Sequence, residues 1–130
     1  VPLGTTAENA YKYIKYITII NDISLRKLIP QELAKGFGFF QSKPHSALSK
    51  CCHPKLFIKG KFHIDCKLHA NMIIELNGER MGKINTAQEM KFDFADLIAH
   101  ASKTRTLSKG TLIGSGTVSS SVRMTSQKYI

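Results

Sequence analysis

The chain has 130 residues, which suits one domain whose core buries roughly two thirds of the unfolded surface. It carries 19 Lys and Arg against 9 Asp and Glu, which gives a formal net charge of +10. No apolar run of about 18 residues occurs, and no basic stretch followed by an apolar core opens the chain. We therefore expect neither a membrane span nor a secretory signal.

The excess positive charge is compatible with nucleic-acid binding, but its distribution favours a solvated surface. The lysines are scattered along the chain, and lysine heavily outnumbers arginine. Recognition of phosphates and bases favours the planar fork of arginine. A lysine-rich surface is therefore the preferred interpretation, and a basic nucleic-acid-binding module is the alternative.

The cysteines indicate the compartment. The chain has three, Cys51, Cys52 and Cys66, so at least one has no partner within the chain, and neighbouring cysteines rarely bridge each other. This usage fits a reducing cytosol better than a disulfide framework. We predict a cytoplasmic location.

The first elements are a helix and a strand. Thr5-Thr6-Ala7-Glu8 has the spacing of a capping box, with Thr5 as the N-cap. Ala10, Ile14 and Ile17 then recur on one helical face. The β-branched run over residues 17–20 predicts a short buried strand that ends at Asn21-Asp22.

The next stretch predicts short helical segments and a loop. A helical turn is expected from Ser24 to Leu28, and a second short helix should begin at Pro30 and end near Gly36. Gly36-Phe37-Gly38 gives the backbone the freedom that a loop close to a ligand requires.

Residues 62–76 carry the clearest periodic signal, because apolar and polar side chains alternate there as in a half-buried strand. Asn77-Gly78 is the preferred pair for a type I′ turn, so the strand should return through Glu79 to Ile84 as a hairpin. Gly82 predicts a bulge in the return strand.

A helix is predicted from Asp93 to Lys103, with an apolar stripe and a basic residue in its last turn. Thr111-Leu112-Ile113 is predicted to be a strand, and Gly114-Ser115-Gly116-Thr117 a turn that presents backbone amides. Residues 119–130 form a divergent polar tail, and no internal domain boundary is visible, so we assign 1–130 to a single domain.

Three segments in order carry a resemblance to a known family. They are Asn21-Asp22-Ile23-Ser24-Leu25-Arg26 with the following Lys35-Gly36-Phe37-Gly38, then residues 92–104, then Thr111-Leu112-Ile113-Gly114-Ser115-Gly116-Thr117. The chain resembles the fumarylacetoacetate hydrolase family, whose members read N-D-[VI]-S-x-R and then a K-G-F or K-x-F-G motif. The resemblance implies a β-rich α+β fold, the mixed β-roll of that family.

The resemblance also implies chemistry and site residues. Members cleave a carbon–carbon bond in a diketo acid such as fumarylacetoacetate or an acylpyruvate, with Mg²⁺ or Ca²⁺ as cofactor. By this resemblance Asp22 is a metal ligand, Arg26 and Lys35 are catalytic, and Thr117 contacts the substrate. From spacing alone, Asp22 reads as a cap or turn residue, or as half of a surface pair with Arg26.

Departures from the family pattern define the remaining expectations. Ile29 and Leu33 stand where animal-type members carry glutamine and tyrosine, and Phe39 stands at the position of a metal-site threonine. Members also bear a Glu-x-Glu metal pair and a base histidine upstream of the aspartate, whereas only Glu8 precedes Asp22 as a glutamate. We expect the chain to be a partial catalytic domain, incomplete at both ends, with weak metal affinity and weak or no activity alone.

Two further interpretations stay open. His63 and His69 with Asp65, near Cys51-Cys52-His53, offer zinc ligands, although the spacing fits no standard zinc pattern. Unpaired strand edges favour association with a second copy, so we expect a homodimer. A structural remnant that only pairs with another copy is the corresponding non-enzymatic alternative.

Overall fold

The computed structural model describes residues 1–51 and 65–118, which belong to two compact units. The first unit contains residues 1–15 and 65–118, and the second contains residues 16–51. The elements in chain order are α1 (Ala7–Ala10), a 3₁₀ turn (Tyr11–Tyr13), β1 (Ile20–Asn21), α2 (Ile29–Ala34), β2 (Ala47–Leu48), β3 (Asn71–Leu76), β4 (Glu79–Asn85) and α3 (Phe94–Ala101).

In the described residues the architecture is mixed α+β, with two two-stranded antiparallel sheets and a few helices. The fold class is therefore confirmed at that level, while the specific β-roll stays a prediction. The single-domain assignment also stays a prediction, and the predicted tail at 119–130 lies outside the described residues. None of the helices in the described ranges has the length and apolar character needed to cross a membrane.

The start of helix α3 is stabilised by two hydrogen bonds in its first turn. The Asp93 carboxylate accepts a hydrogen bond from the backbone N–H of Asp96 at 2.8 Å, and the Asp96 carboxylate accepts one from the Asp93 N–H at 3.2 Å. These bonds satisfy two donors that a helix start would leave open, and both acids suit the positive end of the helix dipole. The predicted helix is confirmed, but it ends at Ala101 rather than at Lys103.

The core of the first unit lies between α3 and the N-terminal segment. Its buried members are Ala10, Ala95, Ile98 and Leu107, and Ile14 packs against them. The predicted helical face through Ile14 and Ile17 is wrong, because α1 ends at Ala10 and Ile14 is extended. Backbone bonds hold the start of the chain there, since the Leu107 N–H donates to the Val1 carbonyl at 2.9 Å. Small residues, Ala10 at the end of α1 and Ala95 on α3, are therefore buried together in this cluster.

The hairpin of β3 and β4 is confirmed. Asn77 and Gly78 have φ values of 51° and 84°, the two positive values that a type I′ turn requires. The register shifts between Ile74 and Glu75, where β4 carries one extra residue beside Gly82, so the predicted bulge is present.

Other predictions about the first unit are wrong. Thr6, not Thr5, is the N-cap of α1, and the Thr5 hydroxyl instead donates to the Pro2 carbonyl at 2.8 Å. The segment Thr111-Leu112-Ile113 forms no strand in the described structure, because a turn closes there with Thr111 donating twice to the Ser108 carbonyl.

The long strand predicted for residues 62–76 is shorter than expected. Only Asn71–Leu76 is strand, while residues 62–64 lie outside the described ranges. The chain bends at Asp65 and Cys66: the Asp65 carboxylate accepts from the Lys67 N–H at 3.2 Å, and Cys66 has a φ of 50°. An alternating pattern cannot reveal such a side-chain-closed turn.

The second unit is built around a minimal sheet and a short helix. β1 pairs antiparallel with β2, with Ile20 opposite Leu48 and Asn21 opposite Ala47. The prediction of a buried strand over 17–20 is wrong in both range and burial, because Ile20 is 51 % exposed. Helix α2 is confirmed, with Pro30 in its first turn.

Candidate active site

The candidate site lies in the second unit, at Asp22, directly after the end of β1 at Asn21. The β1–β2 pairing brings the residue before β2 close to the residue after β1, because the strands are antiparallel. The Ser46 hydroxyl accordingly donates to Asp22 Oδ1 at 3.3 Å. Asp22 is held from a second side by the turn that follows it, where the Ser24 hydroxyl donates to the Asp22 carbonyl at 3.3 Å.

Lys43 provides the charge partner of Asp22. Its Nζ lies 2.7 Å from Asp22 Oδ2 and also donates to the Ser24 hydroxyl oxygen at 2.8 Å. The Lys43 side chain is 28 % exposed and that of Asp22 54 % exposed. The hydrogen bond from Lys43, more than any other cause, holds the pKa of Asp22 below its usual value of 3.8. Asp22 is therefore an ionised carboxylate at neutral pH.

Glu32, on α2, holds the segment that leads to Lys43. Its carboxylate accepts backbone N–H bonds from Phe40 at 2.8 Å, Gln41 at 2.5 Å and Ser42 at 3.1 Å. The Ser42 hydroxyl adds a fourth donor at 2.5 Å. These bonds, the Phe40 amide first, lower the pKa of Glu32 from 4.5 to about 2. Ser42 itself is fully buried.

A glycine loop connects Glu32 to this segment. Gly36 and Gly38 have φ values of 74° and 81°, in the left-handed region that favours glycine. The aromatic side chains between and after them point outward, with Phe37 93 % and Phe40 78 % exposed. The loop is thus closed by polar contacts at Glu32 and not by burial of its own side chains.

The anchoring by Glu32 predicts a pH dependence. Folding lowers the pKa of Glu32. The stabilisation that the ionised carboxylate gives the loop is therefore present above pH 4.5 and is lost as the pH falls through about 2. We expect the amides of Phe40, Gln41 and Ser42 to lose protection from hydrogen exchange within that window, after correction for intrinsic rates. The Leu107 amide, which donates to a backbone carbonyl, is the internal reference. Protection of the loop that is flat across the window would contradict the prediction.

The predicted site residues fall in different places. Asp22 lies in the cluster with Lys43, whereas Arg26 is exposed in the turn that follows, and Lys35 is exposed at the end of α2. The surface pair of Asp22 with Arg26 is wrong, because in residues 1–51 the carboxylate pairs with Lys43 instead. Thr117 is exposed and belongs to the first unit. The roles of all four stay predictions.

Sequence reasoning missed Lys43 and Glu32. The resemblance directed attention to the lysine of the Lys35-Gly36-Phe37-Gly38 motif, and no motif or periodic pattern in the sequence indicated a role for Lys43. Its contact with Asp22 spans 21 positions and depends on the return of the chain over α2. The one available signal was an acid on a short helix just ahead of a glycine loop, a spacing that suits a carboxylate collecting loop amides.

The described residues do not fit a divalent cation at Asp22. Mg²⁺ and Ca²⁺ require about six or more oxygen ligands, and here the lysine ammonium already contacts one carboxylate oxygen. In the part of the chain that the structure describes, no three His, Cys, Asp or Glu side chains are grouped so as to hold a metal ion. The Mg²⁺ or Ca²⁺ implied by the resemblance therefore has no ligand set among these residues.

A second polar pair lies in the first unit. His69 Nε2 is 2.8 Å from Asp65 Oδ2, and this contact, before any other, lowers the pKa of Asp65. His63, Cys52 and His53 lie outside the described residues, so the zinc interpretation stays a prediction. His100 is exposed on α3.

Comparison with known families identifies the chain. The family model described as Fumarylacetoacetate (FAA) hydrolase C-terminal matches residues 2–130. The match covers nearly the whole sequence, and the chain belongs to the fumarylacetoacetate hydrolase family. A search of curated proteins found no match.

Proposed function

We propose that this chain is a hydrolase, with weak turnover on its own, that cleaves a carbon–carbon bond in a diketo acid, such as fumarylacetoacetate or an acylpyruvate. The observation that carries the proposal is the family match over residues 2–130 together with the ionised Asp22 held by Lys43. The site residues are Asp22, Arg26, Lys35 and Thr117 from the resemblance, with Lys43 added from the geometry.

The chemistry needs positive charge near the substrate oxygens. Water adds to one carbonyl, the bond to the neighbouring carbon breaks, and the departing carbon leaves as an enolate that then takes up a proton. Positive groups that lie ready where this negative charge develops lower such barriers by several kcal/mol, on the order of 10²–10³ in rate for one donor. Lys43 suits this role, because an ammonium has three donors and two are directed at Asp22 and Ser24.

Asp22 and Arg26 support that arrangement. The carboxylate fixes the ammonium of Lys43 in one position, so less side-chain entropy is lost when substrate binds. The guanidinium of Arg26 is a planar donor fork that matches a substrate carboxylate. Lys35 adds a further positive charge after α2. No step of this scheme depends on a metal ion, because the described residues lack the ligands for one.

The direct test is turnover of an acylpyruvate, followed as loss of the enol absorbance and formation of pyruvate, with and without added Mg²⁺. Asp22→Ala should abolish turnover, whereas Asp65→Ala, which removes a carboxylate from the other exposed pair, should leave it unchanged. No turnover by the unmodified chain, or equal loss in both variants, would contradict the proposed function.

The proposed assembly is a homodimer, and the cytoplasmic location also stays a proposal. Support comes from exposed apolar side chains in the second unit, namely Ile19, Ile20, Phe37, Phe39, Phe40 and Leu48. Nothing in the described residues favours the nucleic-acid-binding alternative or the structural remnant. Sedimentation at several concentrations tests the dimer.

A further inference from the structure

The segment that carries Lys43 is tied to α2 through a single side chain. Three consecutive amide groups, of Phe40, Gln41 and Ser42, converge on the Glu32 carboxylate within 3.2 Å. Successive N–H groups that point to one anion form a concave nest, which here encloses an anion supplied by the chain itself. The conformation of residues 40–42 therefore depends on the charge at position 32.

From Ser42 the ordering continues to both members of the charged pair. Its carbonyl accepts a hydrogen bond from the Leu25 N–H at 2.8 Å, which ties it to the turn after Asp22. The next residue is Lys43, whose Nζ reaches Asp22 at 2.7 Å. Ser42 thus connects the turn after Asp22 with Lys43. The Glu32 carboxylate accepts hydrogen bonds from both the N–H and the hydroxyl of Ser42.

The lysine contact needs such support. A partly exposed lysine–carboxylate pair contributes little by itself, typically below about 1 kcal/mol, because ordering a long side chain costs entropy. The loop before it adds two glycines, at 36 and 38, and outward-facing phenylalanines that anchor nothing. Without a clamp, the backbone of Lys43 would sample many positions.

We infer that Glu32 is a positioning residue, which holds the backbone of residues 40–42 so that the Lys43 ammonium stays on Asp22. Glu32 acts through Ser42 and Lys43 and need not touch substrate. The inference rests on the proposed function only in treating the pair of Asp22 and Lys43 as the site. Glu32 lies on α2, outside the family motifs, and the inference is that it controls the geometry of the site.

The test is the NMR signal of the Lys43 ammonium in the full chain, recorded with ¹⁵N-labelled lysine at low temperature and mildly acidic pH. The unmodified chain should show a slowly exchanging ammonium with scalar coupling to the Asp22 carboxyl carbon. Glu32→Gln should abolish that coupling, because a neutral amide offers one acceptor oxygen and no charge to the three N–H groups. Glu32→Asp keeps the charge and should restore part of it.

Two controls make the result specific. Glu79→Gln removes the same charge from an exposed position at the start of β4 and should leave the coupling intact. Ser42→Ala deletes only the hydroxyl donor to Glu32, so it should weaken the coupling even if Glu32→Gln fails to fold. Amide signals of β1 and β2 report whether the sheet beside Asp22 persists.

The inference is overturned if the coupling survives in Glu32→Gln, or if it keeps its full size in Ser42→Ala when the former does not fold. It is also overturned if the amides of residues 40–42 lose protection while the Lys43 signal is unchanged, since Glu32 would then be a structural anchor only. The readout needs no substrate. A chain that lacks turnover but loses the coupling in Glu32→Gln would refute the proposed function and leave the inference standing.

Discussion

Replacing Lys43 with methionine is expected to raise the pKa of Asp22 towards 3.8 and to lower kcat/KM for the diketo acid about 10²–10³-fold. Methionine keeps most of the side-chain length and removes the ammonium. The pKa should rise because the hydrogen bond from Lys43 is the main cause that lowers it. A ¹³C titration of the Asp22 carboxyl and steady-state kinetics measure the two effects.

Lys35→Met is the informative comparison. The family resemblance assigns the catalytic lysine to position 35, whereas the geometry directs Lys43 to Asp22. We expect Lys35→Met to leave the pKa of Asp22 where it is, because Lys35 is not among the groups that lower it. Lys83→Met, in an exposed lysine on β4, controls for the loss of one positive charge, which salt screens over distances beyond about 10 Å.

The two variants separate two roles for positive charge. If Lys43 acts in the transition state, its removal lowers kcat and kcat/KM together, whereas loss of uniform binding raises KM alone. A rise in the pKa of Asp22 in Lys35→Met, with none in Lys43→Met, would mean that Lys35, the lysine of the family motif, is the catalytic lysine. The geometry of the second unit would then not describe the working site.

Local signals predicted the parts of the fold that local physics determines. The Asn77-Gly78 turn and the start of α3 depend on residues within a few positions of each other, and both were correct. The strand predicted at 111–113 failed because Ile113 packs against the core without a strand, while Leu112 is exposed. An apolar pattern in the sequence predicts which side chains are buried, and a side chain can be buried without strand pairing.

Hydrogen bonds of one threonine explain why the strand predicted for residues 62–76 begins only at Asn71. Just before β3, the Thr86 N–H donates to the Ala70 carbonyl at 2.8 Å, and the Thr86 hydroxyl takes a bond from the Ala70 N–H at 3.3 Å. The same hydroxyl donates to the Leu68 carbonyl. One threonine therefore closes the end of the hairpin where the sequence pattern predicted continued strand.

The candidate site was only partly accessible from sequence. The β-branched run over residues 17–20 placed Asp22 at the end of a strand, the resemblance singled it out as a site residue, and the structure has β1 end directly before it. Its partner could not be found in that way, because the contact with Lys43 depends on two glycine conformations and on the Glu32 bonds that close the loop. Both the glycine conformations and the Glu32 hydrogen bonds belong to the tertiary structure. A family motif identifies residue positions but does not describe how the loop between them folds.

The core variant Ile98→Ala is expected to lower the free energy of unfolding of the first unit by about 2–5 kcal/mol. Ile98 is 7 % exposed and belongs to the buried cluster with Ala10, Ala95 and Leu107. Because two of its neighbours are alanines, the surroundings have little side-chain volume that could move into the cavity. The cost should therefore include both the lost transfer free energy and the cavity left behind.

Denaturant unfolding followed by circular dichroism measures this loss, with Leu112→Ala as the control. The Leu112 side chain is 65 % exposed, so that truncation should change stability by no more than about 0.5 kcal/mol. Hydrogen exchange resolves where the loss falls: amides of α3 and the Leu107 amide should open faster, because they share the cluster. Equal effects of the two truncations would mean that the packing of α3 against α1 does not stabilise the first unit. Faster exchange confined to the amides of residues 40–42 would mean that the loss falls outside the cluster, and the core assignment would be wrong.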